Sequence, residues 1–359
     1  MTRPTTFAEL TTFRVGGPIK RFSVVHSRED FIKAVRDADE AGLPLLVIGG
    51  GSNIVAADAG FDGHVVKDMR RDISSVSQDG RQYVTATAGV VWDDFVKWSI
   101  TQGFSGLEAL SGIPGTVGAA PVQNIGAYGQ DVSATLAWLE AWDRGRGEVV
   151  TLTNAELGLS YRHSMMKESV IRGDEDGRRW GPTGRWVILS VTFVMEESSL
   201  SAPILYAELA RHLSVEVGER ADAQATREAV LTLRCSKGMV LNEEDHDTWS
   251  AGSFFTNPIL SIEDAERLLP ADAPRFPAGE GLVKTSAAWL ISHAGFSKGW
   301  KVNEGAPASL STRHVLALTN RGEARAEDIA QLARAVREGV VEAFGVELVP
   351  EPVWVNHSL

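Results

Sequence analysis

The stretch Ser111-Gly-Ile-Pro-Gly-Thr-Val-Gly-Ala-Ala-Pro-Val-Gln-Asn-Ile-Gly-Ala-Tyr-Gly129 contains five glycines, two prolines and no charged side chain. The prolines argue against a core helix. Glycine permits unusual dihedrals and removes the bulk of Cβ, so backbone N–H groups can approach and cradle an anion such as a pyrophosphate. A buried connecting loop without a ligand is the alternative interpretation. Long loops without secondary structure tend to be functional, which favours a ligand.

A second small-residue loop, Gly49-Gly-Gly-Ser-Asn53, directly follows the apolar run Leu45–Ile48. Before this run, Ser27–Asp30 forms a capping box that predicts a helix, which Gly42 ends. No G-x-G-x-x-G fingerprint is clear, and no phosphate-binding G-x-x-x-x-G-K-[ST] motif occurs. The two separated loops together predict a bulky nucleotide cofactor.

The composition excludes several classes of protein. The chain has 359 residues, a hydrophobic content of 43% and a net charge of −12, which disfavours nucleic acid as a partner. Cys235 is the single cysteine, so no intramolecular disulfide can form and a reducing compartment fits. No apolar run approaches the length of a membrane span, and the first residues do not resemble a signal peptide. We therefore expect a cytoplasmic protein without membrane insertion.

Periodicity predicts mixed helix and strand content, with a boundary between about 197 and 225. In the strand predicted at 186–195, just before this boundary, apolar residues alternate with others. This alternation predicts one shared face for Val187, Leu189, Val191, Phe193 and Met195. The polar, glycine-rich segment 172–185 predicts an exposed hairpin loop. The predicted strands cover 83–88, 136–142, 148–152, 186–195 and part of 346–355, and the predicted helices include 92–102, one that begins at 261, and 327–344.

Three polar residues are candidates for chemistry, each with a simpler interpretation. From the residues alone, a packed loop serine is the favoured interpretation of Ser253. Arg162 fits a surface arginine in a turn, and Glu351 fits a solvated carboxylate between two prolines. The acidic run Asn242–Asp247 is more typical of a solvated loop than of a metal site, and no metal is expected.

Taken in order, these segments resemble the UDP-N-acetylenolpyruvoylglucosamine reductase family over nearly the whole chain. The glycine loops and Ala251-Gly-Ser-Phe-Phe255 are the most specific matches. A tyrosine in Pro203–Leu209 marks the subclass with a tyrosine-bearing substrate loop. The remaining matching segments are Thr11-Thr-Phe-Arg-Val-Gly-Gly17, Tyr161-Arg162 and Pro350-Glu351.

The resemblance implies an α+β fold, with an FAD-binding domain of the vanillyl-alcohol-oxidase (PCMH) type and a C-terminal α+β substrate-binding domain. It implies a first FAD subdomain at 1–70, joined by a C-terminal strand at 348–359. A second FAD subdomain would cover 71–224, and the substrate-binding domain 225–347. FAD is the implied cofactor and NADPH the co-substrate. The implied FAD contacts are Gly49, Gly50, Gly51, Ser52, Asn53, Gly115, Thr116, Gly118, Ala119, Asn124, Gly126 and Ala127.

The resemblance also implies a reaction. NADPH reduces FAD, and a hydride then passes to the enolpyruvyl group of UDP-N-acetylglucosamine enolpyruvate, which gives UDP-N-acetylmuramate. Arg162 would stabilise the enolate, Ser253 would deliver the proton, and Glu351 would supply a hydrogen bond in its protonated form. This match reverses the interpretation of Ser253 as a packing residue. The implied substrate contacts are Tyr206, Lys237 and Asn257.

Two rival functions remain to be compared. An oxidase of sugars or alcohols with the same fold often links its flavin to a His or Cys in the cofactor loop, and residues 111–129 contain neither. A catalytically silent nucleotide-binding protein would be expected to lack one of Arg162, Ser253 or Glu351, and all three are present.

Overall fold

The computed structural model describes residues 5–359, which form an α+β fold of two compact units. The central unit comprises Ile19–Gly51 and Asp62–Val240. The C-terminal unit comprises residues 5–18, Ser52–Phe61 and Leu241–Leu359. The predicted domains 1–70, 71–224 and 225–347 are defined by the ligand that each is expected to bind, whereas these two units are defined by compactness. The predicted division therefore stays a prediction, and its residues 1–4 lie outside the described part of the chain.

The helices and strands lie close to most of the predicted positions. The helices are α1 (Phe7–Leu10), α2 (Arg28–Glu40), α3 (Trp92–Thr101), α4 (Asn154–Leu157), α5 (Met165–Ile171), α6 (Ala207–Leu213), α7 (Ala223–Ser236), α8 (Ile262–Leu268), α9 (Ala287–His293) and α10 (Ala326–Phe344). The strands are β1 (Ile19–Val25), β2 (Leu45–Ile48), β3 (Ile54–Ala56), β4 (Phe61–Asp68), β5 (Ile73–Gln78), β6 (Arg81–Thr87), β7 (Phe104–Ser105), β8 (Gly126–Ala127), β9 (Gln130–Asp131), β10 (Leu136–Asp143), β11 (Glu148–Thr153), β12 (Trp186–Glu197), β13 (Ile259–Ser261), β14 (Phe276–Pro277), β15 (Leu282–Lys284), β16 (Ala308–Leu310), β17 (Leu318–Asn320) and β18 (Val353–Val355).

Two sheets form the framework of the central unit. One has the strand order β1-β4-β2, and the other has the order β11-β10-β12-β6-β5, with β7 also paired to β12. Ser27 caps α2 through one half of the predicted capping box, since its Oγ accepts a hydrogen bond from the Asp30 N–H at 3.0 Å. The Asp30 carboxylate accepts from the Ser27 hydroxyl at 2.7 Å. Helix α2 buries Phe31, Val35 and Ala38 in one apolar cluster. The glycine loop 49–53 begins directly after β2.

Strand β12 does not present one apolar face along its length, so that prediction is wrong. Val187 and Leu189 pack in the cluster with α2, whereas Val191, Phe193 and Met195 pack with Trp92 and Phe95 of α3. The register against β10 shifts between Glu140 and Ala141, whose partners are Ser190 and Ile188. Such an irregularity bends and twists the strand, so one alternating set serves two cores.

Segment 172–185 is a loop, but it is not exposed throughout. Trp180 and Arg185 are buried. The Arg185 guanidinium donates to both carboxylate oxygens of Asp143 in β10, at 2.8 and 3.0 Å. Burial acts to raise the pKa of Asp143, but the hydrogen bonds from Arg185 and nearby backbone outweigh it and hold that pKa low. The polar composition of segment 172–185 therefore includes an arginine that forms a buried ion pair with Asp143.

In the C-terminal unit, α10 packs its apolar side on α9 and on the strands β16 and β17. The predicted helix 327–344 is confirmed by α10, and the capping serine before α8 is Ser261, whose Oγ accepts from the Asp264 N–H. Phe254 and Phe255 are fully buried in this core. Strand β18, near the C-terminus, pairs in parallel with β3, so two segments about 300 residues apart in sequence form one ladder.

The close packing of the C-terminal unit explains the motif Thr11–Gly17. The Gly17 N–H donates to the Ala57 carbonyl at 2.9 Å, and a Cβ at Gly17 would lie 2.0 Å from the Asp58 carbonyl oxygen. Gly16 has φ of 106°, which favours glycine. In this structure the two glycines serve backbone packing.

Asp247, in the acidic run 242–247, is an internal anchor. It is 5% exposed and accepts hydrogen bonds from the Thr312 N–H at 2.9 Å and from Arg321 at 2.8 Å. Burial acts to raise its pKa, but the bonds from Thr312 and Arg321 prevail and lower it. The interpretation of this run as a solvated loop is wrong at Asp247. Across residues 5–359, no group of His, Cys, Asp and Glu is arranged to hold a metal ion.

No helix among the described residues is both long enough and apolar enough to cross a membrane.

Asp247→Asn is expected to lower the free energy of unfolding by about 1–3 kcal/mol at neutral pH, because Arg321 loses its buried anion. Since the folded-state pKa of Asp247 is lowered, its stabilisation is complete above the ordinary carboxyl pKa and declines as the pH falls through the lowered value. The difference between wild type and variant should therefore shrink in acid. Denaturant unfolding at several pH values measures it.

Asp272→Asn, an exposed position in the same unit, is the matched control and should leave stability unchanged. A pH-independent effect of Asp247→Asn would contradict the ion-pair explanation.

Candidate functional site

The two predicted cofactor loops lie against each other in the central unit. A Cβ at Gly50 would lie 2.9 Å from the Gly115 Cα, and a Cβ at Gly49 would lie 2.6 Å from Thr116 Oγ1 and 3.5 Å from the Ala119 Cβ. Gly51 and Gly115 have positive φ of 63° and 129°. The structure thus brings together two segments that are far apart in sequence, and leaves their contact almost free of side chains.

The loop 115–119 is also bound to the segment before α3. The Gly118 N–H donates to the Ala88 carbonyl at 2.9 Å, and the Trp92 N–H donates to the Gly115 carbonyl at 3.1 Å. A Cβ at Gly118 would lie 2.5 Å from the Ala88 Cβ. Backbone held in place without side chains is what close approach to a pyrophosphate needs, so these residues fit an FAD.

The second half of the long loop is held through Asn124. This residue is buried, with φ of 41°; its Nδ2 donates to the Ser160 carbonyl at 3.0 Å and its Oδ1 accepts from the Ser133 N–H at 3.1 Å. Gly126 and Ala127 form β8, which pairs with β9 in a short hairpin. Asn124 therefore links the predicted FAD loop to the turn that contains Arg162.

Arg162 occupies a tight turn closed by paired hydrogen bonds between Ser160 and His163, at 3.1 and 3.2 Å. Its φ is 54°, which is uncommon for a residue other than glycine. The guanidinium donates to the Asn124 carbonyl at 3.3 Å and to the Gly126 carbonyl at 3.2 Å. The turn is therefore more than a surface feature, because it holds the guanidinium against the predicted FAD loop.

The predicted substrate residues Tyr206 and Lys237 lie in one cluster with Tyr128 of the long loop. The Tyr128 and Tyr206 rings meet edge to face with centroids 5.5 Å apart, and Lys237 Nζ lies 5.7 Å from the Tyr128 ring centroid. Lys237 Nζ also pairs with Glu208 Oε2 at 2.5 Å. Burial raises the pKa of Tyr128 to about 12, so its phenol stays protonated near neutral pH.

Ser253 and Glu351 lie on adjacent segments of the C-terminal unit. The Glu351 N–H donates to the Phe254 carbonyl at 2.8 Å, and the Thr256 N–H donates to the Val349 carbonyl at 3.0 Å. The buried rings of Phe254 and Phe255 anchor the serine segment in the core. Ser253 and Glu351 themselves are partly exposed. The structure therefore brings these two predicted residues together on rigid backbone.

Asn53 and Asn257 are also held in the C-terminal unit. Asn53 Nδ2 donates to the Glu351 carbonyl at 3.3 Å, and the Asn53 carbonyl accepts from the Val353 N–H at 2.9 Å. Ser52 precedes Asn53 at the start of this segment. Asn257 Oδ1 accepts from the N–H of Ala287, the first residue of α9, at 3.0 Å. Asn53, predicted to bind FAD, here orders the backbone of Glu351.

The predicted residues thus form two groups. Arg162, Tyr206 and Lys237 belong to the central unit with most of the FAD contacts, and Ser253, Asn257 and Glu351 belong to the C-terminal unit. Sequence reasoning missed Glu208, the partner of Lys237, and Lys167, which contacts Arg162. The available signal was their spacing, since Glu208 lies two residues after Tyr206 and Lys167 five after Arg162.

Comparisons with known proteins agree with the predicted family. A model of an FAD binding domain matches residues 19–153. A model of the UDP-N-acetylenolpyruvoylglucosamine reductase C-terminal domain matches residues 244–355. The predicted FAD-binding domain and its C-terminal companion are therefore confirmed.

Relatives that carry the name UDP-N-acetylenolpyruvoylglucosamine reductase match along nearly their whole length. The protein of Streptomyces coelicolor is 52% identical and covers 98% of this chain, which spans 89% of that protein. The protein of Thermobifida fusca is 48% identical, and the match covers 98% of this chain and 97% of that protein.

A crystal structure of UDP-N-acetylenolpyruvylglucosamine reductase from Thermus caldophilus matches this fold. The TM-score is 0.63 at 23% identity, over 98% of this chain and 97% of that one. At this identity the match supports the fold alone, and the identity of the family follows from the closer relatives. The chain belongs to the UDP-N-acetylenolpyruvoylglucosamine reductase family.

Proposed function

We propose that this chain reduces the enolpyruvyl group of UDP-N-acetylglucosamine enolpyruvate to UDP-N-acetylmuramate, with NADPH as the electron donor. It is an FAD-dependent oxidoreductase, and the product serves peptidoglycan precursor synthesis. When bound, FAD would accept a hydride from the nicotinamide and pass it to the enol ether. A cytoplasmic location and the assignment of 225–347 to the substrate belong to this proposal.

The hydrogen bond from the Glu351 N–H to the Phe254 carbonyl carries the proposal. It sets a carboxyl group and the hydroxyl of Ser253 on adjacent backbone segments that the core immobilises. Positioned donors are what a reaction with developing negative charge requires. A nucleotide-binding protein without catalytic activity would be expected to lack one of Arg162, Ser253 or Glu351, and all three are present.

Arg162 would bind the substrate carboxylate and stabilise the enolate that forms when hydride adds to the neighbouring carbon. A guanidinium presents a planar fork of donors that suits a carboxylate. Its hydrogen bonds to the Gly126 and Asn124 carbonyls, at 3.2 and 3.3 Å, orient the guanidinium.

Ser253 would donate the proton that completes the reduction. A hydroxyl is a weak acid, but a carbanionic intermediate is basic enough to take its proton. Glu351 would supply a hydrogen bond to the same developing charge. Lys237, Tyr206 and Asn257 would bind the nucleotide portion, with the Lys237 ammonium directed to the diphosphate.

An anaerobic titration in two steps tests the proposed function. NADPH is expected to bleach the flavin absorbance of the purified protein, and the enolpyruvyl substrate is expected to restore it rapidly. Bleaching without recovery would retain the flavoprotein and reject the substrate. Protein without flavin would reject the central proposal.

Ser253→Ala is expected to slow the second step by about 10²- to 10⁴-fold, because a positioned proton donor is lost. Flavin reduction by NADPH should be unchanged. Stopped-flow absorbance of the two half-reactions measures both rates. Equal slowing of the two would mean that Ser253 positions the cofactor and does not donate the proton.

Glu208→Gln is expected to lower the KM for the nucleotide-sugar substrate. The Glu208 carboxylate holds the Lys237 ammonium at 2.5 Å, so the substrate diphosphate has to displace it. Both side chains are about one-third exposed, with 34% and 30% of their surface accessible, so the pair is worth up to about 1 kcal/mol, or about fivefold in KM. Steady-state kinetics at low ionic strength measures this change.

Glu228→Gln removes the same charge from an exposed position on α7 and should leave KM unchanged. In a Lys237→Met background, Glu208→Gln should no longer lower KM. An increase in KM for Glu208→Gln alone would show that this carboxylate orders Lys237 for the substrate and does not compete with it.

A further inference from the structure

Lys167 connects the turn of Arg162 to the predicted FAD loop. Its Nζ donates to the Arg162 carbonyl at 3.0 Å and to Gln123 Oε1 at 2.8 Å. Lys167 lies in the first turn of α5, where its own N–H donates to Ser164 Oγ at 3.2 Å. Ser164 Oγ in turn donates to the Val122 carbonyl at 2.7 Å. The start of α5 is thus bonded at two points to residues 122–123.

The backbone of Arg162 needs such support. The left-handed region is strained for a residue that carries a side chain, and such a conformation persists only where surrounding contacts impose it. The paired bonds between Ser160 and His163 close the turn, but they do not involve the Arg162 peptide carbonyl. Lys167 supplies the contact at that carbonyl.

Both ends of Arg162 are therefore tied to one loop. The guanidinium contacts the carbonyls of Asn124 and Gly126, and the backbone reaches Gln123 through the Lys167 ammonium. A change in the backbone of Arg162 would redirect its side chain, because the direction of Cβ follows φ and ψ. A misplacement of about 1 Å in a catalytic group can reduce a rate by about 100-fold.

We infer that Lys167 is a positioning residue, which holds Arg162 in its left-handed turn so that the guanidinium meets the substrate carboxylate. This inference rests on the proposed function of Arg162. Lys167 acts through the arginine and touches neither substrate nor reacting atoms. Gln123 acts as the fixed acceptor that orients the lysine.

A double-mutant cycle between Lys167→Met and Arg162→Ala tests the inference. Methionine keeps the unbranched apolar stem and removes the ammonium. Lys167→Met is expected to slow reduction of the enolpyruvyl substrate by about 10- to 100-fold, with flavin reduction by NADPH unchanged. In the Arg162→Ala background, the same change should cost less than about twofold, because residues that act as a unit are not additive.

Two further readouts separate positioning from a general structural role. The midpoint of thermal unfolding should shift little in Lys167→Met, and calorimetry on the oxidised protein should show weaker substrate binding. Lys167→Arg, which keeps a charged donor, should recover part of the lost rate. Lys97→Met, at an exposed position on α3, is the matched control and should behave as wild type.

Equal slowing of both half-reactions, or a full loss from Lys167→Met in the Arg162→Ala background, would overturn the inference. The proposed function fails in a different way. If Arg162→Ala alone reduces the enolpyruvyl substrate at the wild-type rate, the role of Arg162 itself is wrong, whatever Lys167→Met does. An inactive wild-type protein with normal flavin bleaching would reject the substrate.

Discussion

The contact between Gly50 and Gly115 is the constraint on which the central unit depends. A Cβ at Gly50 would lie 2.9 Å from the Gly115 Cα, so the two loops leave no room for a side chain there. Strand β2 ends just before this contact, and the segment before α3 is bonded to the same long loop. Because the surface between the loops is formed by backbone, it suits a large anionic cofactor.

The long loop also orders the groups proposed to act on the substrate. Asn124, Gly126 and Gln123 hold the turn of Arg162, directly or through Lys167, and Tyr128 packs against Tyr206 beside Lys237. A single irregular segment thus orients a proposed catalytic cation and part of the proposed diphosphate site. The loop itself contains no charged side chain.

In the C-terminal unit, the corresponding support comes from the apolar core. Phe254 and Phe255 are buried. Backbone hydrogen bonds join their segment to the segment that contains Glu351, and side-chain changes do not remove these bonds. Asn53 adds a bond to the Glu351 carbonyl. Ser253 and Glu351 are therefore carried by backbone that the fold has already ordered, which limits the entropy lost when a substrate binds.

The sequence by itself determined the family, the α+β class, the FAD-binding domain and most helix and strand positions, because glycine loops, capping residues and apolar periodicity are local patterns. Only the tertiary structure decided that Asp247 and Arg185 are internal, that β12 serves two cores, and that Glu208 and Lys167 contact the candidate site. Those facts depend on which distant segments meet. The neighbouring sequence of a charged residue is the same whether its side chain is solvated or forms a buried ion pair. Its role can therefore be assigned only once its partner in the folded structure is known.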